Sequence, residues 1–464
     1  MAKKRVKVSK KIKESSETIK KKQEGLRISI REGSAYAVMD GLGNSYISPF
    51  AIALKASNTQ IGLLSAIPNL IAPLAQLGTV KAMEKVASRK KIVMAAAALQ
   101  AVMWLPIMMI PFFFIDYGAE MLIILFSLLA IFASFVVPVW TSWMGDLVPE
   151  NERGSYFGKR NKIVGIVGLA VMLLGGIYLD LFENLNGKMV FIGFATIFFI
   201  SFLARIASLY FFNKQYEPEL KFDRKKYFSL FDFIEHMMQN NFGRFVMFIS
   251  LIHLVAYIAA PFFSVYMLDD LGFSYTTFMI ISLSSGLATL VSMPYWGKFG
   301  DKFGTMKLLR VCGMLIFLVP LLWVFSKSIA YLFIVELLSG IVWAGFNLAA
   351  SNFVFDAVTR EKRALCIAYM NILRGIGIFA GSLVGGYLTT YLPITFMNKI
   401  LFVFLISSAL RIIVAMIFLP GLKEVRPVEK GPLERLMHYS PLQGRHGFLR
   451  GMINWTYPVK RKPS

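Results

Sequence analysis

Charge is scarce in this chain and negative charge scarcer: 17% of its 464 residues are Asp, Glu, Lys or Arg, and 27 acids face 50 bases. With 56% hydrophobic residues and a mean hydropathy of +0.60, the chain cannot keep most of its surface in water, which excludes an ordinary soluble domain. Cysteine is nearly absent. Cys312 and Cys366 alone cannot build a disulfide framework or a cysteine metal site. The four histidines, His236, His253, His438 and His446, form no metal-ligand spacing, and no nucleophile–base set is present. No metal, cofactor or enzymatic activity is therefore expected. The Lys-rich start, "MAKKRVKVSKKIKESSETIKKKQEG", lacks the apolar core of a cleaved signal peptide, so the first apolar run is expected to serve as an uncleaved insertion signal. "GSYFGKR", residues 154–160, is too short for a phosphate loop and ends in Arg where Ser or Thr is needed.

What is present is a series of nearly uncharged runs, each long enough to span a bilayer core of about 30 Å. Twelve are predicted, at 35–54, 58–80, 92–115, 121–145, 163–179, 189–213, 245–268, 271–297, 308–326, 328–355, 364–391 and 400–420. With the N-terminus in the cytoplasm, 43 of the 50 Lys and Arg fall on cytoplasmic segments and four on outer loops. This positive-inside asymmetry predicts both termini in the cytoplasm and a multi-pass protein of the cell membrane. The net charge of +23 is thus topological. Anionic lipid headgroups are its expected counter-charge, and no nucleic-acid partner is expected.

One polar passage is written twice. "GDLVPENERGSYFGKRN" at 145–161 returns as "FDAVTREKRALCIAYMN" at 355–371, with Asp146 falling on Asp356, Arg153 on Arg363 and Asn161 on Asn371. Gly175-Gly176 then falls on Gly385-Gly386, while at a second offset of 217 Ser57 falls on Ser274, Thr59 on Thr276, Glu84 on Asp301 and Lys85 on Lys302. An even number of spans separates the copies, so the chain reads as two parallel six-helix bundles related by an axis along the membrane normal. The expected division is a basic tail at 1–30, bundles at 31–213 and 245–420, a cytoplasmic linker at 214–244 and a second basic tail at 421–464.

The loop between the eighth and ninth spans, "GKFGDKFGTMK", carries Gly297, Asp301, Lys302, Gly304 and Lys307. In these residues the chain resembles the major facilitator superfamily of secondary transporters, over about residues 30–420. The second-to-third loop, "VKAMEKVASRK", is a degraded copy in which Glu84, Lys85, Arg89 and Lys90 survive, but Val80 and Ala87 replace the expected glycines. Spans five and eleven approach the family's glycine-rich antiporter stretch without its Gly-Pro pair, and close helix packing also explains those glycines. The resemblance implies an all-α fold of twelve transmembrane helices in two pseudo-symmetric bundles. Spans 1, 4, 7 and 10 would line a central cavity, 2, 5, 8 and 11 would form the seam, and 6 and 12 would lie outside.

A charge near the bilayer centre costs about 2.5–3.5 kcal/mol on insertion scales, so each needs a partner, a wet cavity or neutralisation. Asp40, His253, Glu336 and Arg374 lie within spans and are candidate coupling or substrate groups, although Asp40 can also pair with Arg374. Tyr46, Trp140, Trp143, Tyr257, Trp343, Asn347 and Asn352 are candidate cavity-lining groups. Arg205 and Arg411, at matching places in spans 6 and 12, read as structural, snorkelling or pairing at the cytoplasmic side. A cytoplasmic gate is expected from Glu84, Lys85, Asp146, Arg153, Gly297, Asp301, Lys302, Gly304, Asp356 and Arg363. Asp146 would pair with Arg153 and Asp356 with Arg363 within each half. By the resemblance, Asp301 would reach toward Arg153 and Glu84 toward Arg363 across the halves. The expected activity is transport of a small solute by alternating access, by a monomer, driven by a solute or proton gradient. A non-transporting sensor or membrane-enzyme anchor of the same fold is the alternative.

Overall fold

The computed structural model describes residues 16–149, 152–185, 189–218 and 230–425. The expected C-terminal tail falls largely outside them, as do residues 1–15 of the N-terminal tail and 219–229 of the linker. The described residues contain no strand. Ten helical stretches are long and apolar enough to cross a membrane. They are helix 3 (Arg89–Phe113), helix 4 (Gly118–Leu147), helix 5 (Arg153–Leu185), helix 6 (Val190–Lys214), helix 7 (Asn241–Tyr257, continued by Phe262–Val265 and a π turn at Tyr266–Asp270), helix 8 (Tyr275–Phe303), helix 9 (Thr305–Leu315 and Leu318–Leu322), helix 10 (Ile329–Ala357), helix 11 (Arg360–Tyr391) and helix 12 (Lys399–Phe418). The first two passes are more polar and interrupted. Helix 1 runs Ser16–Leu42 and resumes at Ile47–Ala53, and helix 2 runs Asn58–Gln76 and Gly78–Val86.

Packing reproduces the twofold repeat. Helix 1 lies on helices 5 and 6 as helix 7 lies on 11 and 12, and helices 3 and 9 lie on 4 and 10. Between the halves, helix 2 packs on helix 11 and helix 5 on helix 8. The second glycine of each pair makes these seams, while Gly175 and Gly385 pack on helices 1 and 7 of their own halves. A Cβ on Gly176 would meet the Tyr275 carbonyl at 3.0 Å, and one on Gly386 would meet Asn58 and Thr59 at 3.2 Å, so close approach of backbones, not chemistry, accounts for them. Thr59 and Thr390 share a hydrogen bond of 3.1 Å, Ser382 donates to Ser65 at 3.2 Å, and Asp180 accepts from the backbone N–H groups of Tyr275 and Thr276 at 2.7 and 3.1 Å. The fifth helix therefore continues past Asp180, whose carboxylate caps the positive N-terminus of helix 8.

The repeated polar passage closes each half on itself at the opposite, basic face. Arg89, fully buried at the start of helix 3, meets Asp146 at 2.6 Å. Thr305, at the start of helix 9, donates to Asp356 at 2.9 Å. After helix 6, Glu217 accepts from Ser88 at 2.9 Å and from the Arg89 backbone at 2.5 Å, and after helix 12 Glu424 accepts from the Met306 backbone at 2.8 Å. Arg153 donates to the Gly145 carbonyl at 2.6 Å and Arg363 to that of Phe355 at 3.0 Å. The expected Asp146–Arg153 and Asp356–Arg363 pairs are thus replaced. Each aspartate ends one helix and turns to the positive start of another, while each arginine begins a helix and turns to the negative end of its predecessor.

No hydrogen bond or ion pair among the described residues joins the halves on this basic face. Glu84, Lys85, Asp301 and Lys302 are exposed there, and Cβ atoms on Gly154, Gly158 and Gly297 would meet nothing within 4 Å. The molecule is closed at one face and open at the basic one.

Candidate functional site

The seam opens at mid-depth into a cavity of about 640 Å³, walled mainly by the C-terminal half. Helix 7 contributes His253 and Tyr257, helix 10 Glu336, Trp343 and Asn347, and helix 11 Arg374. All six are residues expected to face solute. The break at Ile258–Pro261 interrupts helix 7 at the cavity wall. His253 Nδ1 donates to the Ile249 carbonyl at 2.8 Å, and its ring lies 6.5 Å from Tyr257 and 5.9 Å from Trp343. Glu336 sits beside Ser285, Ser339 and the Trp323 indole and has no cation at ion-pair distance among the described residues. Arg374 also lines a second cavity of about 280 Å³ that continues past Gln76 and Ser134.

Five expected lining residues, Asn352 among them, line neither cavity. Asp40 accepts from Asn44 Nδ2 at 2.7 Å, because helix 1 breaks just beyond it and brings Asn44 back within reach; it pairs neither with Arg374 nor lines either cavity. Tyr46 is fully buried and donates to the Met172 carbonyl of helix 5. Trp140 lies under the Arg160 guanidinium, 4.5 Å from its ring centre. Trp143 is likewise interior, stacked on Phe212 at 6.1 Å.

Arg205 and Arg411 do not snorkel. Both are buried, at 0% and 2% exposure. Arg205 lies 4.0 Å from Glu32 and donates to Ser208 at 3.0 Å. Arg411 donates to Ser407 at 3.1 Å, to the Ile316 carbonyl at 3.2 Å and to the Ala256 carbonyl at 3.1 Å, and reaches the cavity wall. Glu32 escapes the sequence reading because helix 1 begins at Ser16, so a residue assigned to the approach to the membrane is inside the bundle, 3% exposed and 3.4 Å from Arg160. The signal was its spacing: Glu32, Tyr36 and Asp40 recur every four residues and share a helix face.

A family model described as Major Facilitator Superfamily matches residues 34–252 and 245–462. The chain belongs to that superfamily. It is accordingly a multi-pass secondary transporter that moves a small solute by alternating access. An uncharacterized MFS-type transporter of Methanocaldococcus jannaschii is 26% identical over 77% of this chain and 90% of its own length. Multidrug resistance protein MdtG of Proteus mirabilis is 27% identical over 57% of this chain and 65% of its own. Among solved structures, nucleoside transporter NupG superposes with a TM-score of 0.64 at 15% identity, covering 86% of this chain and 98% of that one. A bacterial homologue of the iron transporter ferroportin in its inward-facing state gives 0.61 at 14%, over 88% and 100%. At such identities these two superpositions establish the fold alone.

Proposed function

We propose that this superfamily member binds an organic solute in the 640 Å³ cavity and couples its movement to protons at Glu336. One observation carries the reading: the carboxylate that lines the cavity lies mid-helix with no cation at ion-pair distance among the described residues. An ionised group so placed is costly, and the cost is relieved by protonation or by a solute, so Glu336 exchanges a proton with whichever side the cavity faces. Asp40, engaged with Asn44, is not assigned this role. The name of the Proteus mirabilis relative supports an organic solute.

The positive-inside asymmetry supports a cytoplasmic basic face and cytoplasmic termini in a cell-membrane protein, with anionic headgroups against the Lys and Arg. The open state described above is then inward-open. In the outward-open state, loops bearing Glu84, Lys85, Asp301 and Lys302 would approach the starts of helices 11 and 5 near Arg363 and Arg153, with Gly297 and Gly304 admitting the approach. The bundles at 31–213 and 245–420 move as the two bodies, and one chain suffices.

Reconstituted protein tests the coupling. With a panel of aromatic solutes in proteoliposomes, wild type accumulates solute under a pH gradient, whereas Glu336→Gln retains solute exchange at equilibrium and loses gradient-driven accumulation. Unchanged accumulation in Glu336→Gln removes Glu336 from the coupling step.

A further inference from the structure

Each half sets two arginines and a glutamate inside its bundle, with Asp40 a further acid in the N-terminal half, but the groups are arranged differently. In the N-terminal half, Glu32 lies between Arg160 at 3.4 Å and Arg205 at 4.0 Å. The C-terminal half has Arg374, Arg411 and Glu336 lining the cavity, and no ion pair joins Glu336 to either cation. Among the described residues Arg411 is anchored only by neutral oxygens, those of Ser407, Ile316 and Ala256. A cation held in a low-dielectric wall without a counter-charge is retained at considerable cost. Guanidinium groups present paired N–H donors that fit a carboxylate, sulfonate or phosphate. Trp343, Tyr257, Phe263 and Phe278 on the same walls provide flat apolar surface, and the volume suits a small-molecule site.

We infer that the transported solute is an organic anion, its oxyanion head held by Arg374 and Arg411 and its planar body packed against these aromatic walls. The inference rests on the cavity being the solute site, as proposed above. It also fixes a sign. Protonating Glu336 removes the one negative charge lining the cavity among the described residues, so proton and anion favour each other's binding and travel in the same direction.

The test uses the full chain in lipid nanodiscs and three probes sharing one ring system: naphthalene-1-sulfonate, the neutral naphthalene-1-sulfonamide and the cationic 1-naphthylmethylammonium. Wild type should bind the sulfonate about ten- to a hundredfold more tightly than the sulfonamide, the range expected of charge-assisted hydrogen bonds. Arg374→Gln should lose most of that preference and Arg374→Lys should keep part of it, with the variants checked for monodispersity. Trp343→Ala should weaken all probes and so reports the cavity independently of charge. Equal binding of sulfonate and sulfonamide, or tightest binding of the cation, each still sensitive to Trp343→Ala, overturns the anion inference and leaves the cavity standing. Binding insensitive to Trp343→Ala and Arg374→Gln, or no binding of any probe, overturns both.

Discussion

The two halves share a fold and a register, yet treat buried charge in opposite ways. Helix 1 carries Glu32, Tyr36 and Asp40, and at the 217-residue offset helix 7 carries Ile249, His253 and Tyr257. On helices 6 and 12, Arg205 and Arg411 occupy matching places. The N-terminal cation sits 5.1 Å from the Tyr36 ring and beside Glu32, whereas its counterpart reaches a cavity wall with no acid beside it. Losing both carboxylates on helix 7 and gaining Glu336 on helix 10 turns an ion-paired cluster into one whose cations have no acid at ion-pair distance among the described residues. The repeat explains why the arginines are there. The departures from it explain which half meets solute.

The largest expected effect breaks this contrast at Glu32. Glu32→Gln leaves Arg160 and Arg205 without their shared counter-charge, and breaking a buried ion pair from one side costs about 3–5 kcal/mol. Glu336→Gln removes no ion-pair partner and should leave unfolding nearly unchanged. Thermal unfolding of both variants in the same nanodiscs checks this. Equal losses of stability would mean that Glu336 is as structural as Glu32.

A smaller effect belongs to the seams. Asp180 holds helix 8 through two hydrogen bonds to an ionised carboxylate, while Thr390, at the matching place on helix 11, holds helix 2 through a neutral one at Thr59. Charged hydrogen bonds contribute about 1.5–3 kcal/mol and neutral ones about 0.5–1.5. Asp180→Asn should therefore favour opening of the closed face more than Thr390→Val does. The reporter is a cysteine replacing Ser282 on the cavity wall, in a chain freed of Cys312 and Cys366, labelled by an impermeant maleimide from the face opposite the basic loops. Equal labelling rates in the two variants would show that the seams do not differ in this way.

Much of this architecture was legible from spacing. The 217-residue offset aligns Lys55 with Gly272, and both adopt positive φ, 61° and 62°; the offset of the repeated passage aligns Gly176 with Gly386, one at each seam. Six of the eleven expected cavity residues line it because helices 7, 10 and 11 are apolar enough for their polar members to stand out. Helix 1 hid its contribution. Its charged approach and its interior form one continuous helix through Leu42, so composition placed Glu32 outside, and the break at Gly43 redirected Asp40 and Tyr46. Assigning helices 6 and 12 to the periphery said which helices face lipid, but not that Arg205 and Arg411 lie on their inward sides. The basic loops misled in another way: charge pairs seven residues apart looked sufficient, and helix ends turned out to be the better partners.

The smallest effect separates the two copies of the basic loop. Gly304 turns with φ 98° and ψ 154°, a conformation essentially reserved for glycine, so Gly304→Ala should cost about 1–3 kcal/mol. At the matching place Ala87 ends helix 2 in the left-handed region, φ 52° and ψ 18°, where a side chain costs about 1–2 kcal/mol. Glycine removes that strain, but its freer unfolded chain offsets about 0.5–1 kcal/mol of the gain. Ala87→Gly should therefore stabilise by at most about 1 kcal/mol, opposite in sign to Gly304→Ala. Thermal unfolding of both variants and of the double variant resolves the pair. If Ala87→Gly destabilises, the degraded loop is not a strained copy of the intact one, and Ala87 makes a contact there that glycine cannot replace.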